Sequence, residues 1–313
     1  MPGHHDRRPT RTLGRTTDET GAANLNPVAL STEWSRALSM TAPIVNAPMG
    51  GTAGGALATA VSRAGGLGMV GMGSTGSASK LTEQLAFFAG LNRPFGIGLV
   101  EVSMARDPLL LSTAIAANPA LISVSFASTW EWVAQVHDAG IATATQIADL
   151  HEAQRAQAAG VDVLVARGAE GGGHGEPQIG TLPLLTAVLD GVEIPVLAAG
   201  GISSGRGLAA VLAAGASGAW LGTAFAACTE SLSSETTRQA LLAARETDTM
   251  LTREFDIADG YTWPSHLPER VLRNEITSIN AGQGVGGLTA VHSAAEVVQR
   301  LCAEAAEMLS RWS

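Results

Sequence analysis

The sequence predicts an α/β protein of the (β/α)8 TIM-barrel class, with an irregular C-terminal extension and a terminal helix. Three observations carry this. Eight short apolar runs alternate with amphipathic stretches of helical length from about Pro43 onward, the pattern of βαβ units and a parallel sheet. Glycines recur where helices should stop, at Ala64-Gly65-Gly66, Ala139-Gly140, Ala159-Gly160 and Ala214-Gly215, as expected of residues that end a helix in the left-handed conformation. The last two apolar runs end in glycine turns, where a barrel commonly places a phosphate site. An open doubly wound sheet is the alternative that the same alternation allows.

The predicted strands are 44–47, 68–71, 95–99, 121–125, 142–145, 163–166, 195–198 and 219–222. Between them lie predicted helices at 55–64, 80–91, 108–117, 130–139, 149–159, 182–189 and 204–214, and 230–244 reads as the last barrel helix. Residues 247–290 hold Trp263-Pro264, Pro268 and several glycines. They read as an irregular segment that wraps the barrel or covers its active face. A terminal helix is expected at 294–310. Residues 1–31 contain four arginines, three acids and no apolar core. They are not a secretory signal, and Asp18 and Glu19 argue against a transit peptide. They read as a mobile tail before a single domain, 32–313.

Composition narrows the function. The 313 residues are 46% hydrophobic and 15% charged, which suits one large core and a barrel of typical size. The net charge is −9 and Lys80 is the only lysine. No basic stripe exists for nucleic acid. Cys228 and Cys302 are far apart, without disulfide or zinc spacing, so no metal is expected and a reducing cytoplasm suits both thiols. The uncharged run 207–228 is long enough to suggest a membrane span. Gly215, Gly218 and Gly222 interrupt it, and a helix followed by a strand fits the repeat better.

The chemistry concentrates at strand ends. Ala199-Gly200-Gly201-Ile202 and Leu221-Gly222-Thr223 are two adjacent glycine turns. Glycine there lets backbone N–H groups approach a ligand, and a following helix start adds donors and a positive dipole end. The sixth predicted strand runs into Arg167-Gly168-Ala169-Glu170-Gly171-Gly172-Gly173-His174-Gly175-Glu176. Of the seven histidines only His174 has such a glycine setting; His266 could reach the active face only if the 247–290 segment folds over it.

These segments, with Asn46-Ala47-Pro48-Met49-Gly50-Gly51, Thr252-Arg253-Glu254-Phe255-Asp256 and Leu272-Arg273-Asn274 in the same order, resemble the nitronate monooxygenase family, formerly called 2-nitropropane dioxygenases. The resemblance covers about 43–274 and implies an FMN-dependent TIM barrel acting on a small molecule with O2. It implies that His174 is the base on the substrate carbon, a task suited to a neutral imidazole. It places Ala47, Pro48, Met49 and Gly50 against the flavin ring, although Met49 also reads as core. Gly172 and Gly173 would fold over the cofactor, and Gln146 could donate to the flavin pyrimidine. Gly200, Gly201, Gly222 and Thr223 would hold the phosphate. Gly171 replaces the family's usual alanine, and Arg167 stands where the family often has glutamine. That guanidinium could pair with the phosphate, an anionic substrate or reduced flavin, or point outward. The resemblance gives no oligomeric state; a homodimer is compatible with it. A flavin enoyl-acyl-carrier-protein reductase using NAD(P)H shares the glycine-histidine loop and remains an alternative. So does a non-redox lyase or isomerase that holds a phosphorylated substrate.

Overall fold

The computed structural model describes residues 30–261, 263–273 and 278–311. Most of the tail expected at 1–31 lies outside the described residues, as does Asn274. Eight parallel strands form the central sheet: β1 (Ile44–Asn46), β2 (Gly68–Met72), β3 (Phe95–Val100), β4 (Leu121–Ser125), β5 (Ala142–Ile147), β6 (Val163–Arg167), β8 (Val196–Ala199) and β9 (Gly218–Leu221). The missing number belongs to the two-residue strand β7 (Gly173–His174), which lies outside the barrel. The order is β1-β9-β8-β6-β5-β4-β3-β2. β2 and β6 are buried along their whole length, as parallel strands covered on both faces must be.

The ring closes between β1 and β2. Val45 bridges Leu67, and the buried Asn46 supplies the rest. Its Nδ2 donates to the Met69 carbonyl at 2.9 Å and its Oδ1 accepts from the Met69 N–H at 2.9 Å. The side-chain amide thus imitates a strand neighbour at the seam, satisfying backbone groups that burial would otherwise leave unpaired.

Inside the ring, Val45, Met69, Leu121, Val165, Leu197 and Trp220 pack together, with Trp34 and Met40 from the N-terminal segment in the same cluster. A second apolar layer joins the barrel to its helices. The opposite, C-terminal end of the strands is left to small residues. A Cβ on Gly71 or Gly98 would collide with Pro48, so these glycines let Pro48 sit over the barrel mouth.

Most helices fall where expected. The predicted 80–91 helix divides into Ala78–Leu85 and a 3-10 turn at Ala86–Phe88, and an unanticipated helix, Glu101–Arg106, precedes Leu110–Ala116. The predicted 230–244 helix is shorter, Glu235–Ala243, because Ser234 caps it with an acceptor for Thr237 N–H. The terminal helix Ala294–Leu309 starts in a capping box of Ser293 and Glu296. It packs closely on helix Gly205–Ala213, whose Gly205 N–H donates to Glu304 at 3.0 Å.

Residues 247–290 correct an expectation. They are not irregular throughout. They hold β10 (Thr249–Thr252), helix Glu254–Ala258, β11 (Glu269–Leu272) and a 3-10 turn at Gln283–Gly287. β11 pairs antiparallel with both β10 and β7. The strand signal is hidden because β11 opens with two buried ionisable residues, Glu269 and Arg270. Arg270 is satisfied by the Ala169 carbonyl and the Thr249 hydroxyl.

Both cysteines are free and buried, and burial first of all pushes each thiol up to about 12; they are inert at neutral pH. No helix among the described residues is long and apolar enough to cross a membrane. The uncharged 207–228 run is divided among helix Gly205–Ala213, β9 and a short helix, Thr223–Ala226.

Candidate active site

A cavity of about 580 Å³ opens at the C-terminal ends of the barrel strands, the face where TIM barrels carry their sites. All thirteen residues singled out in the sequence line it. Ala47, Pro48, Met49 and Gly50 follow β1, Gln146 lies in β5, and Arg167 ends β6. Gly172, Gly173 and His174 come from the loop and β7. Gly200 and Gly201 follow β8, while Gly222 and Thr223 follow β9.

The two glycine turns stand side by side because β8 and β9 are neighbours. Gly200 and Gly201 have φ of 109° and 69°, backbone that residues with a side chain rarely adopt. Gly222 is the N-cap of helix Thr223–Ala226, whose first N–H groups have no partner within the helix. The C-terminal segment closes this corner. Gly282 N–H donates to the Thr223 hydroxyl at 2.9 Å, and Gln283 N–H donates to the Glu170 carbonyl at 2.8 Å. Glu170 also accepts from the N–H and hydroxyl of Thr181. The loop is therefore braced on both sides.

Arg167 is buried, which removes the outward orientation from its alternatives. Its Nη2 donates to the carbonyls of Gly171, Gly172 and Gly173 at 2.7, 3.2 and 3.0 Å. Burial, and then the neighbouring Arg270, lower its pKa to about 10, so it stays a cation at neutral pH. A cation at the base of the loop thus shapes the turn that presents His174. Among the described residues its Nη1 is buried without a partner, as is the Ser123 hydroxyl. Both residues line the cavity. Together with Gln146 they form a polar row on adjacent strands β4, β5 and β6.

His174 stands on the cavity wall, and its Nε2 lies 2.8 Å from Asp256 Oδ2. The two side chains are 14% and 8% exposed. An ionised carboxylate only accepts, so Nε2 carries the ring proton and Nδ1 keeps the lone pair. Nδ1 has no partner among the described residues. The ring stacks on Trp263 at 3.9 Å and 15°, and Phe126 meets Trp263 edge-on at 5.1 Å. Phe126 is held at φ 62°, a strained conformation for a bulky residue. Burial, opposed by the Asp256 bond and charge, leaves the His174 pKa below its usual value, and Arg167 adds to the lowering. The imidazole is thus neutral and fixed in one tautomer.

Asp256, Trp263, Phe126 and Ser123 were not singled out as site residues in the sequence. Asp256 lies in one of the matched segments and could have been paired with His174. The aromatic contacts and the Ser123 hydroxyl had no local signal. His266 is exposed and does not line the cavity.

Known proteins resemble this chain over most of its length. The family model described as nitronate monooxygenase matches residues 32–263. A nitronate monooxygenase of Paraburkholderia phytofirmans is 34% identical, with 74% of each chain covered. A Rhodococcus jostii protein named as a hydroxy-methyl-oxo-octahydro-indene-carboxyl-CoA dehydrogenase is 32% identical over 83% of this chain and 71% of its own. Among solved structures, FabK from Thermotoga maritima superposes with a TM-score of 0.81 at 25% identity, covering 90% of this chain and 98% of that one. Nitroalkane oxidase from Streptomyces ansochromogenes superposes at 0.79 and 29% identity, covering 89% and 100%. With more than two thirds of its length matched by the family model, and with the glycine cup and the histidine loop on one barrel face, this chain belongs to the nitronate monooxygenase family.

Proposed function

We propose that the protein is an FMN-dependent monooxygenase that converts alkyl nitronates and nitroalkanes, with O2, into carbonyl compounds and nitrite. The observation that carries this reading is His174: a neutral, carboxylate-oriented base on the wall of a cavity whose other end is a glycine cup. The residues fit FMN. The turns at Gly200-Gly201 and Gly222-Thr223 offer a phosphate cup in which three of the four residues have no side chain. Ser123 Oγ and Arg167 Nη1 are buried polar atoms that a polar ring edge would satisfy. Pro48 and Met49 provide an apolar surface for a planar ring.

When bound, FMN supplies the electron path between the nitronate and O2. The protein does the rest. For a neutral nitroalkane, Nδ1 of His174 takes the proton from the α-carbon. Asp256 stabilises the imidazolium that results and keeps the ring from turning. Trp263 holds one ring face and limits water there. A preformed nitronate needs no such step and requires only binding and orientation. Overall two nitronates consume one O2: each carbon gains one oxygen atom and releases nitrite, so that both atoms of O2 end in carbonyl groups. We place the enzyme in the cytoplasm, with a small-molecule substrate; a homodimer is compatible with the reading.

One observation favours a second reading. The relative named as a CoA dehydrogenase aligns with more of this chain than does the nitronate monooxygenase from Paraburkholderia. The same base could act beside a thioester carbonyl, and an NAD(P)H-dependent enoyl reductase belongs to this reading too. The test is the visible spectrum of the purified protein, followed by anaerobic mixing with nitronate, NADPH or an acyl-CoA. Nitronate should bleach the flavin fastest. Bleaching by NADPH or acyl-CoA alone supports the second reading. A colourless protein that does not take up FMN supports a non-redox barrel.

A further inference from the structure

A second carboxyl group lies beside the His174–Asp256 pair and has no part in the steps above. β11 pairs with β7 so that Glu269 stands opposite His174. A ring nitrogen of His174, a carboxylate oxygen of Asp256 and one of Glu269 all lie within 4.8 Å of one another. Glu269 is 3% exposed. Its Oε2 accepts from the Ser278 hydroxyl at 2.9 Å, and its Oε1 is buried without a partner among the described residues.

No described cation is bonded to Glu269. Arg270, the next residue in the strand, is committed to Ala169 and Thr249. Arg167 is committed to the glycine carbonyls. The charges that act on Glu269 are those of Asp256 and Asp259. Two carboxylates buried this close, with no guanidinium or ammonium of the described residues bonded to either, cannot both ionise cheaply. Asp256 has the imidazole N–H as its partner and Glu269 has only a hydroxyl. Burial, partly offset by the Ser278 bond, and then Asp256 and Asp259 hold the Glu269 carboxyl above the usual carboxylate range.

We propose that Glu269 is a positioning residue that carries a proton at neutral pH, so that a single negative charge faces His174. The proton belongs on Oε1, which leaves Oε2 free to accept from Ser278. A second ionised carboxylate within 4.8 Å would favour the imidazolium, and an imidazolium cannot take a proton from carbon. Neutral Glu269 thus keeps His174 usable as a base. This rests on the reading of His174 as the base, and the test below reads no turnover, so the two can fail separately.

The experiment is an NMR titration of His174 in 15N-histidine protein with its cofactor as purified, the resonance being assigned with His174→Gln. Glu269→Gln keeps the shape and the neutrality of the side chain. The expected result is a His174 protonation constant within about twofold of wild type. Removing an ionised carboxylate at this distance would instead lower it about tenfold or more, and that result overturns the proposal. Infrared spectroscopy of wild type with 13C-labelled glutamate provides a readout that needs no variant fold. A protonated buried carboxyl band at pH 7 supports the proposal, and its absence overturns it.

Discussion

Two histidine–aspartate pairs of equal length stand in different places among the described residues. His137 Nε2 and Asp162 Oδ2 lie 2.8 Å apart, as do His174 Nε2 and Asp256 Oδ2. The first pair sits at the N-terminal ends of β5 and β6, with side chains 40% and 44% exposed. Asp162 also accepts from the Thr143 hydroxyl and N–H, both at 2.7 Å. Burial opposes its ionisation, yet these bonds and His137 hold the carboxyl below the usual range. That pair joins one strand start to another and is screened by water. The second pair is nearly dry, stacked on Trp263, and opens on the cavity. The length of the bond is the same; burial and location decide what it does. In a barrel the N-terminal face tends to carry stability and the C-terminal face chemistry.

The largest expected effect is at His174. His174→Ala should retain its flavin and lose turnover of neutral nitroalkanes by about two to four orders of magnitude, the usual worth of a placed base. Steady-state kinetics check this, with full activity placing the base elsewhere. Asp256→Asn comes next. A hydrogen bond to a charged group contributes about 1.5–3 kcal/mol, so the loss should be roughly ten- to hundredfold. The variant also removes an influence that raises the His174 pKa. In wild type the neutral base is already favoured below the usual histidine value, so kcat/KM should hold as pH falls and drop only below about 6.5. In Asp256→Asn that acid limb should move to still lower pH. The same shift has a stability counterpart: unfolded His174 binds its proton first, so stability declines as pH falls below that ordinary value.

Much of the barrel was legible because its elements are local. Each strand is a short apolar run, each glycine stop follows its helix directly, and the two glycine turns are contiguous in sequence. The cover over the site was less so. β7 is two residues long, and β11 begins with Glu269 and Arg270, which a period-two pattern rejects. Asp256 meets His174 across 82 positions, and only the three-stranded antiparallel sheet explains why. Trp263 lies beside Pro264 in a segment that reads as loop. The residues of the cavity floor and of the glycine turns could be picked out from the chain, while the groups that surround His174 come from pairing between distant segments.

Smaller effects are expected at the cup and the loop. At Gly222 a Cβ would lie 3.4 Å from Met49 Sδ, so a leucine there should displace Met49 and crowd the cup. FMN binding should weaken about tenfold, or ~1.4 kcal/mol; titration of the apoprotein reads it. Arg167→Gln shortens the side chain and removes charge-assisted bonds to three carbonyls. Neutral bonds contribute about 1 kcal/mol less, or about fivefold in FMN affinity. An unchanged FMN affinity with a raised KM would assign Arg167 to an anionic substrate instead. Least of all should change in Asp162→Asn. Its turnover should match wild type, and its thermal midpoint should fall slightly at neutral pH. The depressed Asp162 carboxyl contributes stability only above its unfolded value and loses it as pH falls, so the difference from wild type should shrink in acid.

The central claim is that His174, held by Asp256, takes a proton from carbon before electrons reach the flavin. The most direct measurement is the anaerobic rate of flavin bleaching in wild type and His174→Ala, each mixed with a nitroalkane and with its preformed nitronate. The account predicts that wild type bleaches with both, and that the variant bleaches with the nitronate while losing about a hundredfold or more with the nitroalkane. Equal losses on the two substrates would contradict it, because His174 would then bind the substrate and not deprotonate it.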